Sequence, residues 1–191
     1  LRSPLSSILG LVNVAKLEGF KDPKMLTSYF EMIERSVLKL HETIKEILDY
    51  SRNARGELTI EVVDMERMIH TAFSQMQYLP GYHKTVKQVN VQDHTAFHSD
   101  AYRISVILLN LISNALKYGD DAKEQKIIQV SATITPAHCV LQVRDNGIGI
   151  HSDYIDSVFN MFYRATDRSQ GAGLGLYIVK EMVEKLSGTI Y

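Results

Sequence analysis

Cysteine is nearly absent from this 191-residue chain: Cys139 stands alone and has no internal disulfide partner. Its place in an apolar run makes a buried, inert thiol the expectation, as suits a reducing compartment. An excess of charge of either sign is lacking too. The 21 Lys and Arg against 22 Asp and Glu leave a formal net charge of -1 with both signs interspersed, so no basic face invites nucleic acid and no acidic tail is present. No apolar run approaches the roughly 18 residues of a membrane span, and no signal-peptide pattern occurs. The Gly-Lys-Ser/Thr of a P-loop is missing, as are His-Arg-Asp and Asp-Phe-Gly, which excludes a P-loop and argues against a protein-kinase fold. An initiator Met is also absent, and the chain starts on a periodic apolar pattern, so it is expected to be an excerpt of something longer.

What is present is the make-up of a globular protein, 45% hydrophobic and 23% charged, enough for a core in one large or two small domains. Leu1, Leu5, Ile8, Val12 and Ala15 follow a four-three spacing. Leu26, Phe30, Ile33, Val37, Leu40, Ile44, Ile47 and Ser51 continue one. Both stretches predict coiled-coil-grade helices. Between them, Gly19 supplies a stop, Asp22 an N-cap and Pro23 a first helical position. A helical hairpin cannot surround a core by itself, and Met32 and Leu48 add apolar surface beside the main stripe, so a second copy completing a four-helix bundle is expected. The alternative is a hairpin packed on its own C-terminal domain. Pro4 lies within the first helical pattern and is expected to kink it.

Gly56 after a basic last turn marks the domain boundary, giving a helical hairpin over 1–55 and a second domain over 56–191. In that domain Leu58–Val62 and Val86–Val91 read as strands, with a helix from Met65 to about Met76 capped by Asp64. Asp100 can cap a helix running to about Tyr118, and Ile127–Thr135 with His138–Arg144 makes a hairpin. Strands interleaved with helices give an α/β sandwich, with the helices against one face of one sheet.

Three segments carry chemistry. Asp145-Asn146-Gly147-Ile148-Gly149-Ile150 puts a carboxylate at the end of a strand and two glycines on a tight turn, where positive φ and close approach to a flat ligand become possible. Alone, this could be an ordinary hairpin turn. Asn110, Asn114 and Lys117 share one face of the capped helix, with Tyr118 next in the chain: amide oxygens suit Mg²⁺, an ammonium suits phosphate and a ring suits a purine, though a solvated polar face is the alternative. Gly171, Gly173, Leu174 and Gly175 precede an amphipathic run from Tyr177, a glycine-rich entry into a helix that offers amides to anions. Between the glycine runs lie Phe159, Phe162 and Tyr163, then a polar stretch from Ala165 to Ala172 that reads as a lid.

Taken together, these residues resemble the sensor histidine kinases of two-component systems, within the wider gyrase, chaperone and mismatch-repair ATPase superfamily. Leu1-Arg2-Ser3-Pro4-Leu5 is similar to the tail of the family's phosphoacceptor motif, Asn110 to Tyr118 to its N box, Asp145 to Gly149 and Gly171 to Gly175 to its glycine boxes, and Phe159 to Arg164 to its F box. The resemblance covers essentially the whole chain. It implies a dimeric four-helix bundle followed by an ATP-binding domain of the Bergerat type. It implies that Asn114, helped by Asn110, holds Mg²⁺, that Lys117 and Arg164 meet phosphates, that Tyr118 packs on the adenine and that Asp145 accepts from its amine. Gly147 and Gly149 would shape the nucleotide turn, and Gly171, Gly173, Leu174 and Gly175 the second one.

The family's acceptor His and its neighbouring acid would fall immediately before Leu1. His41-Glu42 does not replace them, since Thr43-Ile44-Lys45-Glu46 beyond that pair matches nothing in the motif, and His41 is expected to be a solvated flank residue. The final strand would continue into a further hairpin. Phosphatase-competent members often carry Thr or Asn at the position of Ser3, where the resemblance would have a hydroxyl orient a hydrolytic water. The implied partners are a second copy and a response-regulator receiver domain. The implied location is cytoplasmic, as the inner part of a membrane-bound sensor. The rivals are an ATP-driven clamp of the same superfamily and a catalytically silent dimeric adaptor.

Overall fold

The computed structural model describes residues 2–17, 22–164 and 173–191; the side chains of Arg2, Ser3, Lys39, Glu42, Arg52, Ala54 and Arg55 lie outside that description. The expected lid over 165–172 also falls outside it. The chain divides into two compact units, Leu1–Ser51 and Arg52–Tyr191. Among the described residues no helix is long and apolar enough to cross a membrane.

The first unit is built on helices α1 (Arg2–Leu17) and α2 (Pro23–Arg55), the latter running past Ser51 into the second unit. Asp22 caps α2, its carboxylate accepting from the Lys24 amide at 2.9 Å, and Pro23 takes the first helical position, where a missing amide costs nothing. Pro4 lies in the first described turn of α1, and from there the helix runs unbroken to Leu17. Among the described residues of this unit only Ala15 and Thr43 are buried, while Leu9 is 64% and Phe30 65% exposed.

The second unit has its own core. Strand β1 (Ile60–Val62) is followed by α3 (Met65–Gln75), β2 (Thr85–Asp93), β3 (His98–Asp100) and α4 (Ala101–Lys117). Then come β4 (Lys126–Ile134), β5 (Cys139–Asp145) and α5 (Gly175–Lys185). Two sheets form where the sequence suggested one. β2, β4 and β5 make a three-stranded sheet with β4 central, parallel to β2 and antiparallel to β5. The separate pair β1–β3 sets Ile60 opposite Asp100 and Val62 opposite His98. β3 has no signature of its own: three residues ahead of a helix cap are too few to alternate, and the strand exists because β1 supplies a partner. The expected strand over Leu58–Val62 shortens to match it.

β4 alternates strictly. Ile128, Val130, Ala132 and Ile134 are buried and face the helices, so this strand carries the centre of the core. Against it lie Met65, Ile69 and Phe73 of α3 and Ile104, Leu108 and Ile112 of α4. Each fully buried side chain of this size contributes roughly 1.5–3 kcal/mol. α5 packs on α4 and buries Ile178, Val179 and Met182. Cys139 is half-buried rather than buried; burial, with Asp93 nearby, pushes its thiol up, so it stays protonated and unreactive near neutrality.

One polar cluster interrupts this apolar interior. Arg103 and Asp100 are 3% and 2% exposed and form an ion pair. The Arg103 guanidinium donates through Nε to Asn53 Oδ1 at 2.8 Å and through Nη2 to the Gly56 carbonyl at 2.9 Å. Asp100 accepts from the amides of Arg103 at 2.9 Å and Thr59 at 3.0 Å. The cluster ties the end of α2 and the segment after it to the N-terminus of α4. Burial alone would raise the Asp100 carboxyl, but the amides of Thr59 and Arg103 and the guanidinium together hold it below the usual carboxylate range.

Asp100→Ala leaves a buried guanidinium without its counter-charge and should cost about 3–5 kcal/mol in urea unfolding at pH 7. Because the folded carboxyl titrates below the unfolded one, its stabilisation is complete above about pH 4 and is lost as pH falls through the folded value. Asp100→Asn should flatten that acid limb; an unchanged limb would show that the pair contributes nothing.

Candidate nucleotide-binding site

α4 carries both the core and the candidate site. Its apolar face is buried, while Asn110, Asn114, Lys117 and Tyr118 are half-buried on the remaining surface. Asn110 donates through Nδ2 to the Val106 carbonyl one turn earlier, at 2.9 Å, which fixes the amide and leaves Oδ1 directed away from its own helix. That oxygen faces α5: a Cβ added at Gly175 would lie 2.8 Å from it. Lys117 falls about 10 Å further along the axis than Asn110.

The first glycine turn docks on the other end of α4. Asp145 closes β5 and its Oδ1 accepts from the Gly147 amide at 2.8 Å, so the carboxylate braces its own turn while remaining exposed. The Ile148 amide donates to the Tyr118 carbonyl at 3.0 Å. Gly147 is required by this approach rather than by φ, since a Cβ there would stand 2.3 Å from that same carbonyl oxygen. Positive φ, expected of both glycines, occurs only at Gly149, at 71° with open space around it.

Asn146 binds the turn to the start of β4. Its Oδ1 accepts from the Ile127 amide at 2.8 Å, its Nδ2 donates to the Gln125 carbonyl at 2.9 Å, and its own amide donates to the Ile127 carbonyl at 3.3 Å. The Lys123 ammonium donates to the Asn146 carbonyl and, at 3.4 Å, to that of Gly147. Sequence reasoning misses both roles. The Asn-Gly pair reads only as a turn signal, and a lysine in a polar loop has no spacing that would mark it.

The second glycine stretch is described from Gly173. This residue has φ 74°, and a Cβ on it would meet the Tyr163 carbonyl at 2.7 Å; its own carbonyl accepts from the Phe162 amide at 3.0 Å. The aromatic segment is thereby joined to the entry of α5, with the Tyr163 ring 6.4 Å from that of Tyr154. Leu174 is buried, so what it can offer a ligand is its backbone. Arg164 is exposed at the end of the aromatic segment, and His41 is exposed on α2. Gly171 and the side chain of Ser3 lie outside the described residues.

A two-helix unit followed by a domain whose central helix meets one glycine turn at its end and another at its middle defines a class: a helical unit joined to an ATPase domain of the histidine kinase and gyrase kind. Residues 99–191 match the family described as Histidine kinase-, DNA gyrase B-, and HSP90-like ATPase, and residues 1–56 match the His Kinase A (phospho-acceptor) domain. The chain belongs to the sensor histidine kinases. Its relatives include the methanogenesis regulatory histidine kinase FilI of Methanothrix harundinacea, 32% identical over 198 residues. That match takes in 100% of this chain and 21% of FilI, so the chain spans about a fifth of the curated relative's length. Among solved structures, the Acinetobacter baumannii histidine kinase AdeS has the same fold, with a TM-score of 0.72 at 22% identity, covering 100% of this chain and 88% of that one. Histidine kinase ThkA in complex with the response regulator protein TrrA matches at a TM-score of 0.72 and 21% identity, over 98% of this chain and 52% of that one.

Gly147→Ala should force the turn away from Tyr118, because a backbone oxygen cannot rotate aside. A loss of about 1–3 kcal/mol is expected, with faster hydrogen exchange at the Ile148 amide. Unaltered exchange there would contradict the docking of this turn on α4.

Proposed function

We propose that this chain is the core of an ATP-dependent protein-histidine kinase, which phosphorylates a histidine just upstream of Leu1 and passes the phosphoryl group to an aspartate of a response-regulator receiver domain. The observation that carries the reading is that both glycine stretches meet α4, the first at the Tyr118 carbonyl of its C-terminal end and the second, through Gly175, at Asn110 Oδ1. Asp145 would accept from the adenine amine while Gly147 and Gly149 let the backbone lie close to the ring, and Tyr118 would pack against it. Lys117 and Arg164 would meet the phosphates, together with the backbone around Gly171, Gly173, Leu174 and Gly175 at the uncapped start of α5. In the transfer, a neutral ring nitrogen forms a bond to the γ-phosphorus as the bond to the bridging oxygen breaks; ADP leaves and the acid beside the histidine accepts the ring proton. Ser3 is the candidate to orient a water that hydrolyses the phosphorylated regulator, releasing inorganic phosphate in a separate phosphatase reaction.

A divalent ion fits the donor set as a companion of the nucleotide. Among the described residues no group of three or more His, Cys, Asp or Glu could hold a metal. Mg²⁺ commonly takes only one or two protein oxygens and fills its shell with phosphate and water. Asn110 Oδ1, turned outward by the bond of its amide to Val106, is such an oxygen, and Asn114 lies one turn beyond. Bound there, the ion would neutralise charge developing on the phosphates.

The reading is tested by labelling. An extended chain carrying its native upstream residues, incubated with γ-labelled ATP, should gain label that is acid-labile and alkali-stable, mapped to the histidine before Leu1. Asp145→Asn, which turns a pure acceptor into a group that also donates, should weaken ATP binding between about fivefold and a hundredfold in calorimetry. Label settling on His41 would refute the placement of the acceptor. An extended chain that binds ATP and takes no label would favour the silent adaptor.

The same proposal includes a homodimer. Leu9, Phe30, Leu38 and Leu48 are all more than half exposed in the helical unit, which needs a second hairpin to cover them. Ile33→Glu with Leu40→Glu would place carboxylates in that seam, each costing several kcal/mol if buried ionised. Light scattering should then report half the mass of the parent chain; a monomeric parent would rule the bundle out. The chain would lie in the cytoplasm, reaching a membrane only through a sensor region elsewhere in the protein.

A further inference from the structure

The loop between α4 and β4 reaches the candidate base-binding turn through the Tyr118 and Gln125 carbonyls, which accept from the Ile148 amide and Asn146 Nδ2, and through one side chain of its own, Lys123. The loop is itself ordered. Asp120 Oδ1 accepts from the Ala122 amide at 2.9 Å and the Asp120 carbonyl from the Lys123 amide at 3.3 Å, a compact turn that sends the Lys123 side chain across to the carbonyls of Asn146 and Gly147. These two carbonyls belong to the peptide units on either side of Gly147. Their orientation fixes the amides of Gly147 and Ile148, which bind Asp145 Oδ1 and the Tyr118 carbonyl. An ammonium holding both carbonyls restrains the same four residues that present the Asp145 carboxylate.

We propose that Lys123 is a positioning residue for nucleotide binding: its ammonium clips the Asp145–Gly149 turn to the α4–β4 loop and so holds Asp145 and the glycine backbone in the shape that receives the base. This rests on the reading of that turn as the ATP site. The chemistry suits the task, since an ammonium has three donors and no acceptor, and the two carbonyls take two of them. The neighbouring Lys126 does not duplicate it, because that side chain pairs with Asp121. Lys123 acts through the turn and not through the phosphates, so its effect should be the same whether or not the ligand carries charge.

The test uses the whole chain with Lys123→Met, which keeps the reach and removes the ammonium, and Lys123→Arg, which restores a cationic donor. Affinities for ATP, ADP and adenosine are measured by displacement of a fluorescent nucleotide, and hydrogen exchange is followed at Gly147 and Ile148 without ligand. Lys123→Met should weaken all three ligands by a similar factor, about threefold to tenfold, and speed exchange at both amides, with Lys123→Arg recovering most of each. A loss confined to ATP and ADP would mean that Lys123 meets phosphate directly, and unchanged exchange would mean that it holds nothing; either overturns the proposal. If the parent chain binds no nucleotide, the ATP reading fails by itself, while the exchange rates still decide whether the clip exists.

Discussion

The second unit depends on the burial of one face of α4. Ile104, Leu108, Ile112 and Ala115 must leave water, and the sheet face formed by Ile128, Val130, Ala132 and Ile134, with α3 beside it, is where they go. Their combined transfer free energy is several times the roughly 1 kcal/mol of a single hydrogen bond, so it sets the rotation of the helix about its axis. Once that rotation is set, Asn110, Asn114 and Lys117 have no freedom to choose their direction. The site is aimed by the core, and its polar residues need only be the right length.

The same contrast explains what could be read from the sequence. Asp22, Asp64 and Asp100 announce three helix starts because capping is local, with donor and acceptor within three residues. The strict alternation of β4 and the four-three spacing of the hairpin helices are likewise local periodicities. The Asp-Asn-Gly and glycine-rich stretches can be recognised for the same reason. Arg103 escapes such a reading because its partners Asn53 and Gly56 lie far away in sequence, and a guanidinium has no periodicity. There is nevertheless a signal: Arg103 stands four residues before the buried Ile107 and three after an aspartate, a charge where the helix is otherwise apolar. β3 cannot be read at all, since its only reason to exist is its partner strand. Gly147 is legible as a special position but for the wrong cause, because the approach of the Tyr118 carbonyl is a contact between segments and leaves no mark on either.

The two units solve the problem of apolar surface in opposite ways. The second surrounds its own, with Leu108, Ile112, Val130 and Met182 all at 0% exposure. The first leaves leucines and a phenylalanine in water and, among its described residues, buries only Ala15 and Thr43. Under the proposed pairing with a second copy, the stability of the helical unit depends on concentration while that of the second unit does not.

The pairing of β2 with β4 carries a kinetic consequence. The strands are parallel over nine matched positions, Thr85–Asp93 against Lys126–Ile134, and α4 lies between them in the chain. β4 and β5, by contrast, are joined by a short reversal in which the Thr135 amide meets the His138 carbonyl. A hairpin closes in microseconds, whereas a parallel crossover must first pay for a long loop. The hairpin that ends in Asp145 can therefore form early, but the Tyr118 carbonyl that completes its turn arrives only when α4 has settled across the sheet. On the proposed ATP reading, a nascent chain would complete its first nucleotide turn at the same step as it packs α4 across the sheet.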